Sequence, residues 1–405
     1  MSPTQPAAHA AASSLPMAGI RVVELSTMVT ASMAALMLCD QGAEVVKVEP
    51  PDIGDPMRYL GNAKGGISAL FANCNRGKRS LAIDIRTPEG RDVVIDLVAR
   101  ADVLVHNFRP GVMDRLGLGE AVLRARNPQL VHAGVSGFGE EGEYAGAPAY
   151  DHIMQAWTGF TGVQGLGGTP EFMRTLVCDK VTAYTLCQAV TAALFRRART
   201  GEPARIDVSM RDASLFFLWP DGMMSHTLLD DDVVQAPPMA ASYAPLPTRD
   251  GFIIVAAGAE RQRQGLMRAL GLARLITDPR YATPAGRAQQ AAETRALMLE
   301  ALAGLGTTDA LARLAAEDVP AAPCRDIATA IASAEQDPFG PITTHEHPRM
   351  GTLRVLGAAA RFDGQRLGNA APCPALGEQT REILAELGRD AATIDACAAA
   401  GIIAG

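Results

Sequence analysis

A single aspartate stands where an apolar run of the sequence meets the start of a long predicted helix. Asp179 ends the run TLVCD, and residues 180–199 carry apolar side chains at helical spacing and finish with basic residues. An aspartate in this position can cap the helix by accepting hydrogen bonds from its first N–H groups. The positive helix end would equally hold the carboxylate ionised, and an ionised carboxylate can be a covalent nucleophile. The residue types leave both roles open, and Tyr150 and Asp151 are similarly ambiguous between closing a turn and forming a site.

Basic side chains near several predicted strands indicate a possible anionic ligand. Arg86, Arg109 and Arg115 follow two of these strands, and residues 75–80, NRGKRS, form a basic turn ahead of another. Taken alone, such a turn is a solvated loop. Cations from four separate elements on one rim would instead complement the phosphates of a small molecule.

A glycine-rich segment follows the apolar run LVHAGV. Residues 137–142, GFGEEG, spell the G-x-G-x-x-G pattern of dinucleotide-binding turns. Glu140 and Glu141 would repel a phosphate, and the following YAGAP is a poor helix start, whereas the phosphate-binding version needs a helix there. The pattern therefore does not predict a dinucleotide cofactor.

Two other chemistries are disfavoured by the sequence. His345 and His347 flank Glu346, but no third metal ligand is indicated, so we expect no metal site. No serine stands in a G-x-S-x-G nucleophile elbow, so hydrolase chemistry of that kind is not expected.

The elements that must position these residues alternate between strand-like and helix-like runs. GIRVVEL, ASMAALMLCDQGA and EVVKVE form a βαβ pattern, which continues through predicted strands at 80–85, 102–108 and 129–136. Strands separated by helices predict an α/β fold with a mostly parallel, doubly wound sheet. Ligands of such sheets bind beyond the carboxyl ends of the strands, where Arg86 and Arg109 stand.

The length of 405 residues predicts about two domains. We expect a disordered tail over residues 1–16 and a large Rossmann-like domain over 17–225. A polar, proline-rich linker and a smaller α+β domain should occupy 226–340. Residues 341–405 should return to the large domain.

Composition excludes some partners and favours one compartment. The net charge of −7 argues against nucleic acid as a partner. No apolar stretch approaches the roughly 20 residues of a membrane span, so we expect no membrane partner. The seven cysteines are scattered and show no C-x-x-C spacing, which favours a reducing cytoplasm.

Many segments, in order, resemble the class III CoA-transferases, the family that includes formyl-CoA transferase and α-methylacyl-CoA racemase. They include GAEVVKVEPPDIGDPMR, NRGKRSLAIDIRTPEGRD, ADVLVHNFRPGVMDRLGLG, PAYDHIMQAWTG and VCDKVTAYTLCQAVTAALFRRARTGEPARIDVSMRDA. The resemblance runs from about residue 17 to 215 and returns in DGFIIVAAGAERQ and LGEQTREIL. It implies a Rossmann-like large domain built from both chain ends, a smaller domain between them, and an interlocked homodimer.

The resemblance also implies site residues. The family's nucleophilic aspartate falls on Asp179, and coenzyme A enters as a thioester substrate rather than as a permanently bound cofactor. The positions that match acyl-CoA contacts are Ile83, Arg86, Asn107, Phe108, Arg109, Arg115, Tyr150 and Asp151.

The implied reaction moves CoA from an acyl-CoA to a carboxylic acid through an aspartyl mixed anhydride and an aspartyl-CoA thioester. Backbone N–H groups of residues 137–142, or of Gly258 and Ala259, would stabilise the oxyanions. Two departures from the family pattern, Val29 in place of a frequent glutamine and a glycine run reduced to Gly258, make formyl or oxalate specificity doubtful.

Two alternatives stay open. The first is a 2-methylacyl-CoA racemase or epimerase of the same fold, but Tyr150 stands where the racemases of the family have a histidine base. The second is a non-catalytic acyl-CoA-binding protein, against which the presence of Asp179 argues.

Overall fold

The computed structural model of the chain describes residues 15–165, 168–368 and 371–405. Contacts between residues divide the chain into two units. The large unit comprises the chain up to Pro220 together with Pro338–Gly405, and the small unit comprises Asp221–Asp337. The tail predicted for residues 1–16 falls mostly on residues 1–14, which lie outside the described residues.

The first part of the large unit alternates strands and helices. Its strands are β1 (Arg21–Leu25), β2 (Glu44–Glu49), β3 (Ala63–Lys64), β4 (Ile67–Ser68), β5 (Arg79–Ile83), β6 (Val103–His106), β7 (Val131–Ser136) and β8 (Arg205–Ser209). Its helices are α1 (Val29–Asp40), α2 (Ala69–Asn75), α3 (Pro88–Val98), α4 (Val112–Arg115), α5 (Glu120–Arg126), α6 (Asp151–Thr158), α7 (Phe160–Gln164), α8 (Val177–Thr200) and α9 (Met210–Gly222).

The small unit contains a short antiparallel sheet and several helices. Its strands are β9 (Leu246–Pro247), β10 (Phe252–Val255) and β11 (Ala321–Pro323), in the order β11-β10-β9. Its helices are α10 (Glu260–Ala269), α11 (Arg274–Thr277), α12 (Pro284–Gln289), α13 (Ala291–Ala303), α14 (Thr307–Ala316) and α15 (Ile327–Gln336). Its own core includes Ile253, Leu266, Leu302 and Leu314.

The last part of the chain adds elements to the large unit. They are β12 (Ile342–His347), β13 (Gly351–Leu356), β14 (Arg361–Phe362), β15 (Gln365–Arg366), α16 (Thr380–Glu386), α17 (Ala391–Ala399) and β16 (Ile403–Ala404). β12 pairs with β13 and β14 with β15 as antiparallel hairpins, while β16 pairs with β5.

The large sheet has seven strands in the order β16-β5-β2-β1-β6-β7-β8. All neighbours are parallel except β16, which runs antiparallel to β5. The predicted α/β fold with a mostly parallel sheet is therefore confirmed. The predicted strand over 102–108 ends earlier, at His106, so Asn107 and Phe108 lie in the loop after β6.

Local sequence explains where several helices begin and end. Thr87 caps α3, where its side chain accepts a hydrogen bond from the N–H of Gly90, and Pro88 occupies the first turn. Helix α8 ends at Gly201, whose φ of 74° is the left-handed conformation common after helices. Among the described residues, no helix is long and apolar enough to cross a membrane.

Two buried histidines lie on one face of neighbouring strands. His106 on β6 is opposite Gly134 on β7, two residues along from His132, and the two ring centroids are 5.0 Å apart. A Cβ at Gly134 would lie 3.0 Å from the His106 ring, so a glycine leaves room for that ring. In the part of the chain that the structure describes, neither ring nitrogen of His132 nor Nδ1 of His106 has a hydrogen-bond partner. Burial, with smaller contributions from His132 and Arg205, lowers the pKa of His106 to about 3.

We expect this pair to make the large unit sensitive to acid. The unfolded chain protonates His106 near pH 6.5, whereas the folded chain does not, so the stability from the neutral ring is complete above pH 6.5 and is lost as the pH falls toward 3. Between pH 7 and pH 5, the free energy of unfolding should therefore fall by about 2 kcal/mol less in His106→Phe than in the wild type. Urea unfolding followed by the fluorescence of Trp157 and Trp219, both in the large unit, measures this.

The control for this prediction is His226→Phe, which changes an exposed histidine of the small unit. It should leave the pH dependence as in the wild type. An unchanged pH dependence in His106→Phe would mean that the folded protein already binds a proton at this ring.

Candidate active site

Asp179 is the third residue of α8, two positions inside the helix. Leu176 is the N-cap residue, and its side chain makes no capping hydrogen bond. The alternative in which Asp179 is the cap is therefore wrong. The cap comes from another helix, because Oδ2 of Asp151 accepts a hydrogen bond of 3.1 Å from the N–H of Asp179. This leaves the Asp179 side chain available for other contacts.

Gln155 fixes Asp151 and the segment that leads into α8. Its Nε2 donates to Oδ1 of Asp151 at 2.6 Å and to the carbonyl of Thr175 at 3.1 Å, and its Oε1 accepts from the N–H of Met173 at 3.0 Å. Asp151 and Gln155 are both buried. Asp151 thus holds the start of α8 in place, and its predicted contact with acyl-CoA stays a prediction.

The carboxylate of Asp179 meets the first turn of α1. The hydroxyl of Thr30 donates to Oδ1 of Asp179 at 2.5 Å, and Thr30 itself is buried. Burial raises the pKa of Asp179 to about 6, although the Thr30 hydrogen bond opposes this shift; nearby Asp151 raises the pKa further, and His152 and Lys180 lower it. The side chain is therefore ionised above about pH 6 and is more basic than an ordinary aspartate.

A group of buried charged residues hydrogen-bonds to the backbone on both sides of Thr30, at Ser26, Met28 and Ser32. We define the buried charge cluster as Glu24 on β1, Lys47 on β2, Asp55 in the loop after β2, and Lys78 before β5. The Nζ of Lys47 lies 2.7 Å from Glu24 and 2.9 Å from Asp55, and Nζ of Lys78 lies 2.7 Å from Glu24. The cluster thus brings two carboxyl groups and two amino groups into contact.

For two members of the cluster, ion pairing outweighs burial in setting the pKa. Burial alone would raise the pKa of Glu24, but Lys47 and Lys78 hold it far below its ordinary value. Burial alone would lower the pKa of Lys47, but Glu24 and Asp55 hold it above its ordinary value. Both residues therefore stay charged throughout the neutral pH range. Thr30 and this cluster were missed from the sequence; the available signal was the presence of Glu24 and Lys47 inside apolar strand runs.

Six of the eight residues predicted to contact acyl-CoA follow or end two strands at their carboxyl ends, whereas Tyr150 and Asp151 lie at the start of α6. Ile83 is buried at the end of β5, and Arg86 follows it, largely exposed and paired with Asp84 at 2.8 Å. Phe108 stacks on His106 in the loop after β6, and Arg109 and Arg115 are exposed nearby. Asn107 begins the same loop and hydrogen-bonds to the backbone of Thr27.

The two groups stand on one edge of the sheet but not side by side. β2 and β1 lie between β5 and β6 in the sheet. The loop after β5 and the loop after β6 are therefore about 14 Å apart, at the usual spacing of about 4.8 Å between neighbouring strands. Only an extended ligand could contact both groups.

The basic turn at residues 75–80 does not contribute to that edge. It leads into the amino end of β5, whereas Arg86 follows the carboxyl end of that strand. Lys78 is buried on Glu24, Arg76 pairs with Asp40 at 2.5 Å, and Arg79 pairs with Glu382 and Glu386. The prediction that four elements contribute cations to one rim is therefore wrong for residues 75–80. The alternative, in which these residues form a wholly solvated loop, is wrong as well.

The glycine-rich loop after β7 folds against aromatic side chains. Phe138 is buried and makes contacts of 5.7 Å with Tyr144 and 5.1 Å with Trp157, measured between ring centroids. The N–H of Gly139 donates to the hydroxyl of Ser136 at 3.0 Å. In the small unit, the N–H of Ala259 donates to Oε1 of Gln262 at 3.0 Å. Both N–H groups thus already have hydrogen-bond partners within the chain. The role of these two segments in stabilising an oxyanion stays a prediction.

The histidines of the segment HEH have separate roles. Nδ1 of His347 accepts from the N–H groups of Arg349 and Met350, and its Nε2 lies 3.0 Å from the carbonyl of Cys373. These bonds hold the turn after β12. Nε2 of His345 contacts the hydroxyl of Thr343 instead. Within the described ranges, no group of three or more His, Cys, Asp or Glu side chains could hold a metal ion.

Comparisons with known proteins identify the family of this chain. The family model "CoA-transferase family III" matches residues 17–380. A curated acyl-CoA transferase of Fusarium pseudograminearum is 33% identical, over 95% of this chain and 88% of its own. A succinate–glutarate CoA-transferase of Agrobacterium fabrum is 33% identical, over 92% of this chain and 96% of its own.

A solved structure supports the same assignment. The crystal structure of a CAIB/BAIF family protein from Brucella suis matches with a TM-score of 0.79 and 34% identity, covering 92% of this chain and 99% of that chain. The sequence resemblance is thus confirmed over nearly the whole length. The chain belongs to CoA-transferase family III and is a CoA-transferase.

Proposed function

We propose that the protein moves CoA from an acyl-CoA donor to a carboxylic acid through covalent intermediates on Asp179. The observation that carries this proposal is the carboxylate itself, which is largely buried, made basic by burial and oriented by the Thr30 hydroxyl at 2.5 Å. A carboxylate with a raised pKa is a better nucleophile, and above about pH 6 it is in the ionised form that can attack.

Four steps complete the reaction. The Asp179 carboxylate attacks the thioester carbonyl, the C–S bond breaks, and CoA thiolate leaves behind an acyl-aspartyl anhydride. The thiolate attacks the aspartyl carbonyl and releases the donor acid, which leaves an aspartyl-CoA thioester. The acceptor carboxylate attacks this thioester and releases the thiolate, which then takes the acceptor acyl group and frees Asp179. No net proton is exchanged, and the thioester bond energy is kept.

We infer that CoA lies along the carboxyl edge of the sheet. The groups at Ile83 with Arg86 and at Asn107 with Arg109 are about 14 Å apart, a separation that suits an extended ligand carrying phosphates. Arg109 and Arg115 are exposed and offer positive charge for those phosphates.

The relatives direct the choice of substrates. One is named succinate–glutarate CoA-transferase, and mouse and human relatives are named succinyl-CoA:glutarate CoA-transferase. We therefore propose succinyl-CoA as donor and a dicarboxylic acid such as glutarate as acceptor. This choice is consistent with the departures at Val29 and Gly258 from the formyl-CoA transferase pattern.

We also infer a homodimer, interlocked as the family resemblance implies. Helices α8 and α9 expose large aromatic side chains, with Tyr184 at 58%, Phe216 at 82% and Trp219 at 50% exposure. Such a concentration of exposed aromatic surface is typical of a face that binds another chain. A sedimentation mass equal to one chain would contradict this inference.

We place the enzyme in the cytoplasm. The seven cysteines are scattered along the chain and show no C-x-x-C spacing, and this is consistent with a reducing compartment. Cell fractionation with an antibody against the protein tests the assignment.

The test of the proposed function supplies succinyl-CoA with a panel of dicarboxylic acids and follows the CoA esters by mass spectrometry. We expect a new CoA ester and, when hydroxylamine is added during turnover, a hydroxamate on the peptide that contains Asp179. Transfer without any label on that peptide would exclude the covalent mechanism. Deuterium uptake at the α carbon without transfer would identify a racemase, and binding without either reaction would identify an acyl-CoA-binding protein.

A further inference from the structure

The loop between β1 and α1 is held by side chains from several other elements. We define the β1–α1 loop as residues 26–28; it directly precedes α1, whose second residue is Thr30. The carbonyl of Ser26 accepts a hydrogen bond of 3.0 Å from Lys47, and the N–H of Met28 donates to Oδ1 of Asp55 at 3.1 Å. The side chains that make these bonds belong to the buried charge cluster.

Asn107 holds the middle of the loop from both sides. Its Oδ1 accepts from the N–H of Thr27 at 3.1 Å, and its Nδ2 donates to the carbonyl of Thr27 at 2.6 Å. A side-chain amide is one of the few groups that can satisfy a backbone donor and a backbone acceptor of the same residue. Thr27 lies 80 positions before Asn107, so these bonds tie the loop after β6 to the loop after β1.

The backbone at Met28 needs such support. Its φ of 62° and ψ of −162° fall in a region that is essentially restricted to glycine. A non-glycine residue stays in that conformation only where its surroundings determine it. The hydrogen bonds to Thr27 and Met28 are such surroundings, and they immediately precede the turn that carries Thr30.

The first turn of α1 is held in the same way. Nζ of Lys78 donates to the carbonyl of Ser32 at 2.8 Å, and the hydroxyl of Ser32 donates to Glu24 at 2.9 Å. Thr30 therefore stands between a fixed loop and a fixed helical turn, with its hydroxyl on Asp179.

Stability alone is a poor explanation of this arrangement. Buried ion pairs lose much of their attraction to desolvation, and well-packed apolar side chains usually stabilise a core as well or better. What the charged and amide groups provide is geometry, because each accepts or donates a directed bond to the backbone near Thr30.

We propose that Asn107 is a positioning residue for Asp179: with Lys47 and Asp55 it holds the β1–α1 loop in the strained conformation that keeps the Thr30 hydroxyl on the Asp179 carboxylate. This inference rests on the proposed role of Asp179. Asn107 carries no charge, so its replacement removes no charge near Asp179. We therefore expect it to affect the titration of the Asp179 carboxylate through the position of the loop.

The experiment titrates Asp179 in the free protein, without CoA. Protein labelled with carbon-13 at the aspartate carboxyl carbon is followed by NMR, and the Asp179 signal is identified by its loss in Asp179→Asn. The groups that influence this titration in the wild type are Asp151, His152 and Lys180, besides Thr30. The variant Thr30→Val should move the midpoint upward by about one pH unit, because it deletes a hydrogen bond to the charged form.

Asn107→Leu should move the midpoint in the same direction, by half as much or more. The double variant with Thr30→Val should titrate like Thr30→Val alone, because the amide acts through that hydroxyl. Transfer by Asn107→Leu should fall about tenfold in kcat at neutral pH. Should Asn107→Leu not fold, the smaller and still polar Asn107→Ser serves for the same titration.

Asn127→Leu is the matched control. Asn127 is also an asparagine whose Nδ2 donates to backbone carbonyls, those of Val98 and Ala101, but it lies before β7 at the opposite edge of the sheet. It should leave the titration of Asp179 unchanged.

Three results would overturn the proposal. An unshifted midpoint in Asn107→Leu with a raised KM for acyl-CoA would make Asn107 a ligand contact only. An equal shift in Asn127→Leu would indicate general loosening of the fold, and full additivity with Thr30→Val would mean that the two residues act independently. Because the titration needs no turnover, a failure of CoA transfer with every acid would refute the proposed function without affecting this result.

Discussion

Replacing Asp179 with asparagine is expected to abolish CoA transfer while making the folded protein more stable at neutral pH. Asparagine keeps the size of the side chain and can still accept the Thr30 hydrogen bond, but it cannot form the anhydride. The loss of a covalent nucleophile should reduce kcat by about 10⁴-fold or more. A gain in stability is expected because the ionised carboxylate is unfavourable where it is buried.

The sign of the stability effect follows from the pKa. The pKa of Asp179 rises from 3.8 to about 6 on folding, so the folded state retains a proton that the unfolded state has already lost. The cost of the charged side chain is absent below about pH 4, develops between pH 4 and 6, and is complete above pH 6. Asp179→Asn should therefore raise the free energy of unfolding at pH 8 by about 3 kcal/mol.

Urea unfolding of both proteins at pH 8 and pH 5, together with the transfer assay, measures the two effects. Asp231→Asn removes an exposed carboxylate of the small unit and should change neither stability nor transfer. If Asp179→Asn lost transfer but was also less stable, the residue would be a structural one. If it retained transfer, the proposed chemistry would be wrong.

The order of elements was predictable because it depends on local patterns. Apolar runs such as GIRVVEL and DVLVHNF, separated by helical segments, placed the parallel strands of the large sheet to within a few residues. The short antiparallel strand β16 was not predicted. The same logic placed Arg86 and Arg109 at carboxyl ends of strands. The start of α8 was less predictable, because the helix begins with the apolar residues Val177 and Cys178, and Asp151, its cap, lies on another helix.

The contacts that orient the nucleophile could not be derived from the sequence. Thr30 and Asp179 are 149 positions apart, and no local pattern indicates which hydroxyl will meet a given carboxylate. Lys78 stands in a basic turn that resembles a solvated loop, yet its charge is buried on Glu24, 54 positions earlier. Charges of this kind are recognisable only when the fold brings both partners together, because the desolvation that makes them unusual is a property of the packed structure.

Removing one partner from the buried charge cluster should strongly destabilise the large unit, and we expect Lys47→Met to show this. Lys47 contacts both Glu24 and Asp55, whereas Lys78 contacts Glu24. Methionine has a similar shape but no charge, so the variant leaves the carboxylate of Asp55 buried without a cation. Removing one partner of a buried ion pair typically costs about 3–5 kcal/mol, a large part of the 5–15 kcal/mol that a domain has.

The measurement is urea unfolding at pH 7, followed by the fluorescence of Trp157 and Trp219. Lys64→Met makes the same substitution at an exposed site of the same unit and should change the free energy of unfolding by no more than about 0.5 kcal/mol. Adding Asp55→Asn to Lys47→Met should recover part of the loss, because the amide removes the unpaired charge and keeps an acceptor for the N–H of Met28. A cost below about 1 kcal/mol for Lys47→Met would mean that water or another group compensates Asp55, and the cluster could then not be the rigid support of the β1–α1 loop.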